Sequence, residues 1–175
     1  MPFHLAAAAY MLCININHNG IIMSVYDKLN ELGIELREAA IPQAAYVPFA
    51  KTGNLVFFSG TIALKDGGPW VGKLGLDMTT EEGKLAARDC AISLIGSLNA
   101  AAGDLNRVKR IVKLMSLVNA TDTFTEAHLV TNGASELLGE VFGEKGVHAR
   151  SAFGVAQLPT GACVEIEMIA ELEEG

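Results

Sequence analysis

The stretch from His148 to Ala170 gathers the side chains best suited to chemistry: Arg150, then Glu165 and Glu167 on a run that alternates with Val164, Ile166 and Met168. A planar guanidinium offers two parallel N–H donors to a carboxylate, which fixes a bound acid's orientation as well as its charge. One such charge-assisted contact contributes about 1.5–3 kcal/mol. A carboxylate beside the bound acid can accept a proton, directly or through a water. Each residue also has a plainer reading. Arg150 can be a strand-edge salt bridge to a neighbouring subunit, and the two glutamates can be a solvated or ion-paired strand face. Tyr46 can be a core aromatic with its hydroxyl satisfied. Asn132, next to Gly133, can mark an irregularity in a helix.

Other chemistries find no support. Cys13, Cys90 and Cys163 are far apart with no CxxC spacing, and His4, His18, His128 and His148 form no HxH or HExxH array. No disulfide framework, metal site or other cofactor is expected, and reduced thiols in a cytoplasmic protein are the default. The formal net charge of −7, with 13 basic residues against 20 acidic ones, argues against a grip on nucleic acid. The one basic cluster, Arg107 to Lys113, alternates basic with apolar residues and reads as a strand with one wet face.

The elements that must position these groups follow from periodicity. Ser24 can cap a short helix carrying Val25, Leu29 and Leu32. Residues 44–49 and 55–58 read as a hairpin around the Lys51–Asn54 turn, and Trp70 reads as the anchor of a glycine-rich loop at Asp66–Pro69. Thr79 to Glu82 starts a helix, and Leu85 to Leu98 keep helical spacing up to the stop at Gly103. A strand over 108–118, a second helix over 123–142 and strands over 151–158 and 162–172 complete the order. About six strands and two helices make an α+β fold, a mixed sheet with the helices on one face, after a short N-terminal helix.

With 175 residues, 50% of them hydrophobic, and a mean hydropathy of +0.32, the chain has more apolar surface than one sheet face and two helices need. No uncharged apolar run of about 18 residues follows residue 23, so no membrane span is expected and an oligomer interface is the better explanation. Residues 1–22 are apolar at first and lack the basic start of a signal peptide, whereas Met23 opens a sequence like a protein start. They read as an upstream extension or mis-called start, with a weak export signal as the alternative. Residues 23–175 read as a single domain.

Taken as a set, these motifs resemble the RidA/YjgF family. Its C-terminal signature is similar to His148-Ala-Arg-Ser151, the following strand, Leu158-Pro159 and Val164-Glu-Ile-Glu-Met-Ile-Ala170. Phe58-Ser-Gly60 resembles its strand ending in S-G, and Ala101-Ala-Gly103 with Leu105, Val108 and Lys109 resembles a further block. The resemblance covers about residues 42 to 172 and implies a chorismate-mutase-like sandwich. It also implies a homotrimer whose sheets pack into a central barrel, with small carboxylate-bearing metabolites held in clefts between subunits. The implied activity is hydrolysis of reactive enamines and imines to 2-keto acids and ammonia. Arg150 and Glu165 would be its catalytic residues, and Tyr46, Ser59, Gly60, Asn132 and Arg150 would bind substrate. His148 and Ala152 depart from the proline and cysteine common at those positions. A non-catalytic carboxylate-binding module, an L-PSP-type endoribonuclease and a chorismate mutase are the competing readings; the last rests on fold analogy alone.

Overall fold

A computed structural model describes residues 23–39 and 45–174, so residues 1–22 and the expected strand start at residue 44 lie outside the described residues. Helix α1, Val25–Glu31, starts at a capping box. The Ser24 hydroxyl accepts from the Asp27 N–H, and the Asp27 carboxylate accepts from the Ser24 N–H. The helix is tied down by Leu29, which is buried, and by Tyr26, whose hydroxyl donates to Asn99 and accepts from the Leu105 N–H.

Strands β1 (Phe49–Thr52) and β2 (Leu55–Ile62) form a hairpin as expected, but with shifted bounds. β1 starts only at Phe49 and takes in Lys51, which the sequence places in the turn, and β2 runs on past Ser59-Gly60 because it keeps pairing with β7 to Ile62. Two-residue strands β3 (Leu64–Lys65) and β4 (Gly68–Pro69) follow. Trp70 closes this segment: its N–H donates to the Ala63 carbonyl, its carbonyl accepts from Cys163, and Lys65 Nζ sits 4.7 Å from its ring centroid. It is the loop anchor that the sequence suggests. Helix α2, Thr80–Ala102, begins at a second capping box, Thr79 with Glu82, and stops at left-handed Gly103. Strand β5 (Val108–Asn119), helix α3 (Ala127–Phe142), a 3₁₀ turn over Gly143–Gly146, and strands β6 (Ala149–Val155) and β7 (Val164–Leu172) complete the chain.

The main sheet has the order β1-β2-β7-β5-β6, antiparallel throughout except for the parallel pair β5–β6, which α3 connects. The fold is α+β as expected; among the described residues five strands form this sheet and the β3–β4 pair a second, small one. Helix α3 starts four residues later than its apolar pattern suggests. Residues 121–124 instead form a turn in which the Phe124 N–H bonds the Thr121 carbonyl.

Both long helices cover one face. There the inward residues of β7 (Val164, Ile166, Met168, Ala170) meet Leu94, Leu98 and Leu137 in one buried cluster. Cys90 and Cys163 are buried in it, and burial pushes both thiols up, Cys163 to about 11, so they serve as small apolar fillers. Among the described residues the opposite face carries no helix. Phe57 and Phe153 are 41% and 43% exposed there, and Phe57, Lys113, Met115, Glu167 and Ile169 help line a cleft of about 360 Å³. Among the described residues no helix is long and apolar enough to cross a membrane.

Candidate functional site

The Ser59–Gly60 pair sits in a β-bulge. Phe58 pairs with Met168 and Thr61 with Ile166, so β2 carries one residue more than β7 between these points. Ser59 pins the approach to β1, donating from its N–H to the Pro48 carbonyl and from Oγ to the Val47 carbonyl at 2.7 Å. Tyr46 stands just before, 57% exposed, and is not a core aromatic. At Gly60 the bulge turns a bare Cα toward Glu165. A Cβ there would overlap Glu165 Oε1 and stand 2.9 Å from the carboxyl carbon. Only glycine leaves that carboxylate its place.

Burial, then repulsion from Glu167, raises the Glu165 pKa above the ordinary carboxylate value. Gly60→Ala should therefore leave the fold intact, because only the end of a flexible side chain has to move, while displacing Glu165. If Glu165 acts in turnover, the variant should lose activity by about 10-fold or more with an unchanged melting curve. Full activity would show that the carboxylate's position is unimportant.

Arg150 lies at the other end of the sheet. It pairs with Leu114, which pairs with Met168, and this row faces the helices. Its Nη1 donates to Ser135 Oγ and its Nη2 to the His128 carbonyl, both at 3.1 Å and both on α3. Among the described residues two of the guanidinium's five donors are used, leaving three for a ligand. Beside it is a cleft of about 230 Å³ lined by Ser135, Gly139, Gly146, Val147, His148 and Arg150. Asn132 lies on α3 between His128 and Ser135, on the same side of the helix by spacing, and the helix runs through it without irregularity.

Glu165 pairs with Leu117, and Leu117 with Phe153, a row whose exposed member Phe153 shows that it faces away from the helices. Arg150 and Glu165 thus point to opposite faces of one sheet. Strand β5 lies between their strands, roughly 10 Å across, and they are three residues out of step, roughly 10 Å along. The sequence pairs them as one catalytic unit; a single protomer does not. It presents two halves instead: Tyr46, Ser59, Gly60 and Glu165 in one, Asn132 and Arg150 in the other.

The family profile for YjgF/chorismate mutase-like candidate endoribonucleases matches residues 27–172. The chain belongs to the YjgF/chorismate mutase-like family. Over 146 residues it is 49% identical to Protein TCP17 of Trypanosoma cruzi, spanning 82% of this chain and 91% of that one. It is similar to the crystal structure of Atu1372 from Agrobacterium tumefaciens, described as of unknown function. The TM-score is 0.78 and the identity 40%, covering 86% of this chain and 94% of that one. It is also similar to a candidate endoribonuclease from Shewanella oneidensis, with TM-score 0.82 and 32% identity, covering 86% of this chain and all of that one.

In this member of the YjgF family, two further residues join the Arg150 half: Ser135, which motif reading passed over, and His148, noted there only as standing in place of the family's proline. Their signal was present. Ser135 is one helical turn beyond Asn132, and His148 is two positions before Arg150, the spacing that shares a face in extended chain, just ahead of β6.

Proposed function

We propose that the protein binds small 2-keto or 2-imino acids through Arg150 and hydrolyses reactive enamines and imines to 2-keto acids and ammonia. The observation that carries this reading is a guanidinium beside a small cleft, with three donors unused among the described residues and its orientation set by two bonds to α3. The ligand carboxylate pairs with Arg150, which places the imine carbon next to the cleft wall. Glu165 supplies the proton acceptor for an attacking water, and burial and Glu167 raise its affinity for protons above that of an ordinary carboxylate, which makes it a stronger base. Imines hydrolyse readily in water, so positioning alone can account for much of the acceleration.

Because the halves face opposite sides of the sheet, a complete site takes Arg150 from one protomer and Glu165 from the next. A homotrimer meets this need and covers the open sheet face with its exposed Phe57 and Phe153. The net charge of −7 weighs against the endoribonuclease label carried by relatives.

The test adds the purified protein to an amino-acid oxidase that releases imines, with pyruvate binding followed by calorimetry and mass by light scattering. Faster release of keto acid and ammonia from a particle of three times 18.5 kDa is expected. Glu165→Gln should keep pyruvate binding and lower kcat by about 100-fold, because the amide keeps the shape without the proton acceptor. Pyruvate binding without acceleration would make the protein a carboxylate-binding module; a monomer would remove the shared site.

A further inference from the structure

The Arg150 half contains a hydrogen-bonded chain that the reading above does not use. His148 Nδ1 lies 2.6 Å from the Gly146 carbonyl oxygen. A carbonyl only accepts, so the proton of the neutral ring sits on Nδ1 and Nε2 keeps its lone pair. Nε2 is 3.1 Å from Ser135 Oγ, so the serine hydroxyl donates to it. The Arg150 Nη1 donates to that same Oγ, also at 3.1 Å. The order is therefore carbonyl, imidazole, hydroxyl, guanidinium, with every proton assigned and each link reaching toward the ligand cleft that Ser135, His148 and Arg150 line.

We propose that Ser135 and His148 form a proton relay at the Arg150 site, with Ser135 touching the bound 2-imino acid and His148 acting through it as a positioning and proton-storing residue. This rests on the deaminase reading and adds a second proton path to it. In the first step the water oxygen bonds the carbon of the protonated imine. Glu165 takes a water proton, and the C=N electron pair moves to nitrogen. In the second, the carbinolamine hydroxyl gives its proton to Ser135 Oγ as Ser135 passes its own to His148 Nε2. The oxygen pair closes the C=O bond, the C–N bond breaks, and ammonia leaves with the proton returned by Glu165. The imidazolium then releases its proton to water.

The surroundings of His148 support a proton acceptor. Burial lowers its pKa, the bond to the Gly146 carbonyl works the other way, and Arg150 lowers it further. From the 3₁₀ turn it faces the Gly146 carbonyl, from α3 the neutral Ser135, and from the adjoining strand β6 Arg150, the one charge among the described residues that acts on it. The ring is neutral at pH 7 and charges only in acid. There it would stand as a second cation beside Arg150 with no lone pair left for Ser135. A bound carboxylate offsets that repulsion, so binding an acid favours protonation of His148.

The experiment uses the full chain, with pyruvate as the probe. Calorimetry between pH 5 and 6.5 in two buffers of different ionisation enthalpy should show proton uptake on binding. His148→Gln, whose amide oxygen can still accept from Ser135, should bind pyruvate within about threefold of the parent and lose that uptake. Its kcat should fall by about 100-fold, and the acid limb of the parent's kcat profile should disappear. Ser135→Ala should lower kcat in the same direction. A His148→Gln protein with parental kcat, acid limb and proton uptake would overturn the relay while leaving the deaminase reading in place. A parent with the proton uptake but no turnover would overturn its catalytic role. Failure of pyruvate to bind the parent would bring down the reading and the relay together.

Discussion

Arg150→Ala should abolish carboxylate binding and imine hydrolysis together. Each charge-assisted bond contributes about 1.5–3 kcal/mol, so losing two parallel ones should weaken pyruvate by at least about 100-fold. The fold should survive. The side chain is exposed, and its truncation leaves the Ser135 hydroxyl with His148 as partner and the His128 carbonyl able to reach water. Stability should change by less than about 1 kcal/mol, as for other exposed charged contacts. Arg150→Lys should rescue little, because an ammonium keeps the charge but cannot hold Ser135, the His128 carbonyl and a bidentate acid at once. Calorimetry and the oxidase-coupled assay read both variants. Full activity in Arg150→Ala would place the acid elsewhere.

Gly133→Ala should cause the largest loss of stability among single-methyl changes in the helix layer. A Cβ at Gly133 would overlap the Lys84 carbonyl oxygen and stand 2.7 Å from its carbon and 3.0 Å from its Cα. Those atoms belong to the backbone of α2, so the two helices must separate. Overpacking of this kind costs about 3 kcal/mol at the upper end of its range. The better helix propensity of alanine returns about 1 kcal/mol. A net loss of about 2 kcal/mol corresponds to a fall in Tm of about 4–8 °C, compared at equal protein concentration. Gly83→Ala is the control. Its Cβ would meet Val130 Cγ2 at 2.8 Å and Leu74 Cδ1 at 3.0 Å, buried side-chain atoms and not backbone, so its Tm should fall by less than that of Gly133→Ala. Equal melting of both variants would show that Gly133 does not set the helix spacing.

Local features were readable from sequence because they are decided locally. The Thr79–Glu82 capping box, the stop at Gly103 and the alternation of Val164 to Met168 all stand in the structure where their residues suggest. The start of α3 was not, because the turn at Thr121–Phe124 displaces an apolar pattern that continues through it. Strand order was beyond reach: nothing in β6 says that it pairs in parallel with β5 at the edge. The same limit governs the site. Residue type singled out Arg150 and Glu165, but not the bulge that holds Gly60 against Glu165, because it depends on how β2 pairs with β7. That the two charged groups leave opposite faces depends on the register of Leu114 with Arg150 and Leu117 with Glu165, a long-range property.

The opposed directions of Arg150 and Glu165 bear on how damaged copies of the chain would behave in mixture. In the proposed ring of three, each site would draw its arginine from one chain and its glutamate from the next. An Arg150→Ala chain still brings a sound glutamate, and a Glu165→Gln chain still brings a sound arginine. Unfolded together at equal amounts and refolded, these two inactive proteins should assemble into rings in which about one site in four has both groups intact. Activity would then emerge from two preparations that have none alone. In a cell carrying both alleles, two loss-of-function copies of this gene would complement each other.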